Sequence, residues 1–176
     1  MDMDDVPPTV RYLAEYVRNK ALIGIQQEQE IEPLLLIFRE EKGTETGFSK
    51  TVGIIPLNKY MSSEYGKDFI KFLMVDTIKQ EEIDIVIMIA EAWLAILPAD
   101  SITQEEAHRV KVSERPDKQE ILMLNIMTKT HQYLGTSKIV REPSPTLEPM
   151  EIYSTTEDSL IEGRLVRDKD DTPKIH

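Results

Sequence analysis

Cysteine is absent from the 176-residue chain, which removes disulfides, thiol nucleophiles and cysteine-based zinc sites together. Histidine is scarce. His108, His131 and His176 stand far apart, with neither His-x-Glu nor His-Glu-x-x-His spacing, so no metal centre of that kind is expected. The seven glycines form no dinucleotide fingerprint after a strand, no Gly-x-Ser-x-Gly elbow and no phosphate loop. Gly43 and Gly47 lie close together, but no Gly-Lys-Ser/Thr follows them. No cofactor is therefore expected. Basic residues are in deficit, 21 against 32 acidic, for a net charge of −11; tight binding to nucleic acid needs the opposite balance. Long apolar runs are missing as well. A bilayer span needs roughly 20 apolar residues, and the longest run here is shorter and broken by Glu91. The acidic start Met1-Asp2-Met3-Asp4-Asp5 is unlike a secretory signal, and the expected compartment is the cytoplasm.

What is present is a single domain's worth of ordinary globular composition, 40% hydrophobic and 30% charged, with enough chain for a full core. The stretch from Asp84 to Leu97 organises it. Read as a strand, it puts Ile85, Ile87, Ile89, Glu91 and Trp93 on one face and Val86, Met88, Ala90, Ala92 and Leu94 on the other. Both faces are apolar, which predicts a central strand covered on both sides. Glu91 is its one ionisable group between Asp84 and the end of the run; a carboxylate there needs a partner, a strand end or a site.

The elements around it follow in order. Thr9 after Pro7-Pro8 is a candidate helix cap, and Val10, Leu13, Ala14, Val17 and Ala21 recur at helical spacing. Leu34–Phe38 and Thr51–Leu57 predict a hairpin around the Glu40–Gly47 loop. Ser62 or Ser63 is placed to cap a second helix from about Glu64 to Glu81, with Phe69, Ile70, Phe72, Leu73, Met74 and Ile78 as a broad apolar face. Ile121–Met127 reads as a further strand and Ile139-Val140 as another. The expected class is α+β (or mixed α/β), in the order α-β-β-α-β-β-β. About five strands form a mixed or antiparallel sheet with two main helices. The domain is expected over 6–142, followed by a proline-rich acidic extension at 143–165 and a disordered tail at 166–176. Pro143, Pro145 and Pro149 work against regular structure there, with Met150–Tyr153 as an edge segment. Nine acidic and four basic side chains fall within 142–176. The long polar connection 98–118 is of the kind that is functional or disordered.

Chemistry-bearing residues converge in one place only. Were the central strand and Ile121–Met127 antiparallel neighbours, Glu91 would come near Arg115 and Glu120. A structural reading pairs Glu91 with Arg115, since a buried charge is tolerated when paired. A functional reading brings Glu91, Asp117 and Glu120 together as acid and base, with or without a divalent cation. Trp93 and Arg115 are candidate binding residues beside them. The spacing fits no established metal motif, and a Pro-Asp…Glu-x-Lys nuclease pattern is incomplete, with Pro116-Asp117 but no Glu-x-Lys.

The two signatures Ala90-Glu91-Ala92-Trp93 and Glu114-Arg115-Pro116-Asp117-Lys118-Gln119-Glu120-Ile121-Leu122 resemble those of an uncharacterised family of small bacterial and phage proteins. The resemblance spans roughly residues 10–142. It implies that Glu91, Trp93, Arg115 and Glu120 form one recurring feature, and it implies no activity. The expected function is a non-enzymatic binding or accessory protein, acting on a protein partner or by self-association. The runner-up is a small hydrolase using Glu91, Asp117 and Glu120.

Overall fold

A computed structural model describes residues 6–41, 43, 47, 48, 51–95 and 118–155. Helix α1 (Pro8–Gln26) buries Val10, Leu13, Ala14, Val17, Ala21 and Ile25, the face its periodicity predicts. Its start differs from expectation. Pro7 holds the cap position without a side-chain hydrogen bond, and Pro8, with its φ already helical and no N–H to satisfy, occupies the first turn. The helix ends on Glu28, which takes a left-handed φ of 57°. There Glu28 N–H donates to Ile25 O at 3.0 Å and Gln29 N–H to Gly24 O at 2.9 Å, the paired closure that normally recruits glycine.

Strands β1 (Leu34–Phe38), β2 (Gly53–Pro56), β3 (Ile85–Ala95), β4 (Lys118–Thr128), β5 (Gln132–Val140), β6 (Thr146–Leu147) and β7 (Glu151–Thr155) form one seven-stranded sheet. Its order is β2-β1-β3-β4-β5-β6, with β7 also pairing β5, and every pairing is antiparallel. The α+β class therefore holds, while the expected five strands become seven and the chain order runs on by two strands. The extra pair lies in the proline-bearing stretch. β6 and β7 take successive halves of the same edge of β5, Ile139↔Leu147 in one register and Thr136↔Glu151 in the next. Pro149 falls at the one-residue shift between them, where its missing N–H does least harm. The prolines interrupt the pairing without preventing it. Residues 156–165 of the expected extension and the whole tail at 166–176 lie outside the described residues.

Helix α2 (Glu64–Ile78) opens on Ser63, whose Oγ accepts from Gly66 N–H at 3.0 Å. Before it, Asn58–Tyr60 forms a 3₁₀ turn pressed so closely that a Cβ on Gly66 would stand 2.0 Å from Tyr60 O. Ile70, Met74 and Ile78 face the sheet. Phe69 and Phe72, expected in that face, are 41% and 63% exposed, because the alanines and methionines below admit only one ridge of the helix. Lys129 Nζ donates to Ile78 O and Gln80 O at 2.9 and 2.8 Å, satisfying carbonyls at the helix end.

β3 is the centre of the sheet, paired with β1 on one side and with β4 over eleven positions on the other. Its Ile85, Ile87 and Ile89 pack with α1, Leu122, Leu124 and Ile126. Its Val86, Met88, Ala90 and Ala92 pack with α2, Leu35, Met123 and Met127. Each fully buried aliphatic contributes about 2 kcal/mol, which is why this strand is apolar on both faces. Among the described residues no helix is long and apolar enough to cross a membrane.

Candidate functional site

Burial falls along the α1 face of β3, from 0% exposure at Ile85 to 4% at Ile89 and 36% at Trp93. Glu91 sits on this gradient, where the apolar cover runs out and a charge can be held. One oxygen, Oε1, accepts Ile31 N–H at 2.9 Å. The other lies 3.6 Å from an Arg141 Nη2. Arg141 follows β5 and also forks onto Glu120, with Nε to Oε2 at 3.1 Å and Nη2 to Oε1 at 2.5 Å. The fork matches the guanidinium to a carboxylate in plane. Its hydrogen bond to Glu120 raises the Arg141 pKa most, burial opposes that, and the charges of Glu120, Glu91 and Glu30 raise it further. The three side chains thus form a closed ionic group of net −1.

The antiparallel register places Glu91 opposite Leu122 and Trp93 opposite Glu120, so Glu91, Trp93 and Glu120 share the α1 face. Lys118 Nζ lies 4.5 Å from the centre of the Trp93 ring, a cation–π contact that shields the indole. Arg115 and Asp117 fall outside the described residues. The described cation that meets Glu91 is Arg141, which sequence reasoning missed. Its signal was present, since Arg141 stands two residues beyond Ile139 and so on the same strand face. Using that signal required the β4–β5 turn, which is built by Thr128. The Thr128 hydroxyl accepts from His131 N–H at 2.9 Å, in place of the glycine or asparagine that marks a tight turn by composition.

The bond from Ile31 to Glu91 has a second consequence. Residues 27–33 link α1 to β1, and part of this linker forms one wall of a cavity of about 500 Å³. Its floor is Leu34, Leu36, Phe38 and Ile89, and its sides are α1 and Ile54 of β2. The opening exists because α1 is tied to the far edge of the sheet. Arg18 donates to Leu147 O at 2.9 Å and to Glu148 O at 3.2 Å through Nε, which leaves β1 and β2 partly uncovered. Ile23 and Ile54, on opposite rims, are 52% and 57% exposed. Its volume and apolar floor are those of a small-molecule site. A second cavity, of about 550 Å³, lies by the β4–β5 turn between Val75, Ile78, Met127 and Thr155; Lys129 there is engaged by the α2 carbonyls.

Among the described residues no group of three or more His, Asp or Glu side chains is placed to hold a metal ion. The protein matches no protein-family model, no curated protein and no solved structure.

Proposed function

We propose that the protein is a non-enzymatic binding protein of the cytoplasm that holds an apolar ligand group between α1 and the β1–β2 hairpin. The observation that carries this reading is the engagement of Glu91. Its two oxygens are taken up by Ile31 N–H and by Arg141, so the carboxylate braces the wall of the cavity. A general acid or base needs a carboxylate open to substrate. The hydrolase reading has less support for that reason, since Arg141 stands between Glu91 and Glu120. A binding role also suits a wall fixed in advance, because less order is lost when the ligand arrives.

The test uses N-phenyl-1-naphthylamine, a neutral apolar fluorophore. Titration of the full chain is expected to saturate at one dye per protein. Ile54→Glu, a change at a largely exposed position, is expected to leave the melting temperature within a degree or two and weaken the dye at least tenfold. Dye binding that does not saturate, or that is indifferent to Ile54→Glu, rejects the reading.

A further inference from the structure

Charge is unevenly placed around the cavity. α1 is joined to β1 by the short 27–33 linker, so the C-terminal end of the helix lies by Leu34, the first residue of β1. An earlier turn of α1 brings Lys20 and Tyr16 into the lining, with the Lys20 ammonium 5.5 Å from the centre of the tyrosine ring. At the Leu34 end stand Gln27, Glu30 and Glu32. Lys20 is already drawn over an aromatic face, which stabilises a cation. Glu30 is partly answered by Arg141, whose charge it feels. Glu32 makes no hydrogen bond or ion pair with another described residue and is exposed at the rim. The field of the whole chain, at net −11, adds to the attraction for a cation and opposes an anion.

We infer that the preferred ligand is a cationic amphiphile, with an aliphatic or aromatic body over Leu34, Leu36, Phe38 and Ile89 and an ammonium or guanidinium group at Glu32 and Glu30. This rests on the binding reading above and adds the chemistry of the ligand's polar end. The apolar body supplies affinity, because leaving water is favourable wherever it packs. The charged end supplies orientation and discrimination, since a like-charged head meets the glutamates unpaired.

The experiment displaces bound N-phenyl-1-naphthylamine with decylamine, decanol and decanoate at neutral pH, each below its micellar concentration. The three share one tail and differ in charge. Decylammonium is expected to displace the dye at a concentration at least ten times lower than decanoate, about 1.4 kcal/mol, with decanol between. The double variant Glu30→Gln/Glu32→Gln is expected to bring decylammonium to the level of decanol, each displacement being referred to the dye affinity remeasured for that variant. Glu81→Gln/Glu82→Gln, which removes the same charge elsewhere, is expected to keep the wild-type order. Decanoate competing as well as decylammonium, and losing that ability in Lys20→Met, would seat an anion at Lys20 and overturn the inference. Persistence of the order in Glu30→Gln/Glu32→Gln overturns it too. A dye that binds but is displaced by none of the three defeats this inference alone. A dye that never binds defeats the proposed function along with it.

Discussion

The two faces of the sheet are covered by helices of similar length and end up with different properties. α2 lies over small and flexible side chains, Ala90, Ala92, Met88 and Met123, and buries Ile70, Met74 and Ile78 among them. α1 is secured at the β6 edge by Arg18 and leaves the opposite end of its face open. The face under α2 still buries polar side chains, Asn125 most completely. Asn125, 1% exposed, places Nδ2 3.9 Å from the Met88 sulfur and leaves Oδ1 without a partner. The open face instead gathers paired charges at its margin. Neither helix covers its face completely: the α2 face opens by the β4–β5 turn beside Ile78 and Met127, whereas the α1 face opens over the apolar residues of β1, and it is the lining that sets the two apart.

Five substitutions test how different the two faces are, beginning with the largest expected effect and setting Met74→Ala beside its counterpart on the other face. Gly66→Ala would force a methyl to within 2.0 Å of Tyr60 O, displacing the 3₁₀ turn from the start of α2. A loss of about 4 kcal/mol in denaturant unfolding is expected, at the upper end of overpacking effects. Met74→Ala on the closed face is expected to cost about 3 kcal/mol through the void it leaves. Its counterpart Ile23→Ala, on the rim of the open face, is expected to cost no more than about 0.5 kcal/mol. Equal costs for the two would mean the faces are equally closed, and the contrast would be lost.

Arg141→Met leaves Glu91 and Glu120 facing each other. The side chains are 38%, 23% and 21% exposed, so solvent offsets part of the penalty, and about 1–2 kcal/mol is expected. A double-mutant cycle with Glu120→Gln should return a coupling that falls as salt is added. A cycle with no coupling would show the ion pair to be incidental. A small effect of opposite sign concerns the linker that walls the cavity. Glu28→Gly relieves a side chain held at φ 57° and is expected to raise stability by about 0.5 kcal/mol, strain relief exceeding the added freedom of the unfolded chain. Destabilisation would mean that the Glu28 side chain itself holds the linker.

Much of the core was legible. The α1 stripe from Val10 to Ala21 and the two apolar faces of β3 are read directly from spacing, because a buried face must repeat with the period of its element. A serine cap was legible for the same local reason, with Ser62 and Ser63 both open and the structure selecting Ser63. Phe69 and Phe72 were misassigned because periodicity gives the direction of a side chain and not how much of an arc its neighbours cover. β6 was missed, and β7 was anticipated only as the edge segment Met150–Tyr153, because proline reports what one residue cannot donate, and an edge strand with a register shift does not need that donor. Of the residues singled out in the sequence, Glu91, Glu120 and Trp93 lie on one face of β3 and β4, each standing out as a charge or a lone indole on an apolar strand. Arg141 and the cavity were not legible.

The sequence by itself determined which residues must leave water and, through their period, which became helix or strand. It also placed a carboxylate near the end of the longest apolar strand, where some partner had to answer it. The tertiary structure decided which partner. Arg141 reaches Glu91 across β4, and Ile31 reaches it from a linker 60 residues away in the chain; local spacing carries no record of such distances. It also decided that α1 would be tied to one edge of the sheet, which opens the cavity at the other. Periodicity is local, whereas where a helix comes to rest depends on all the contacts it makes at once.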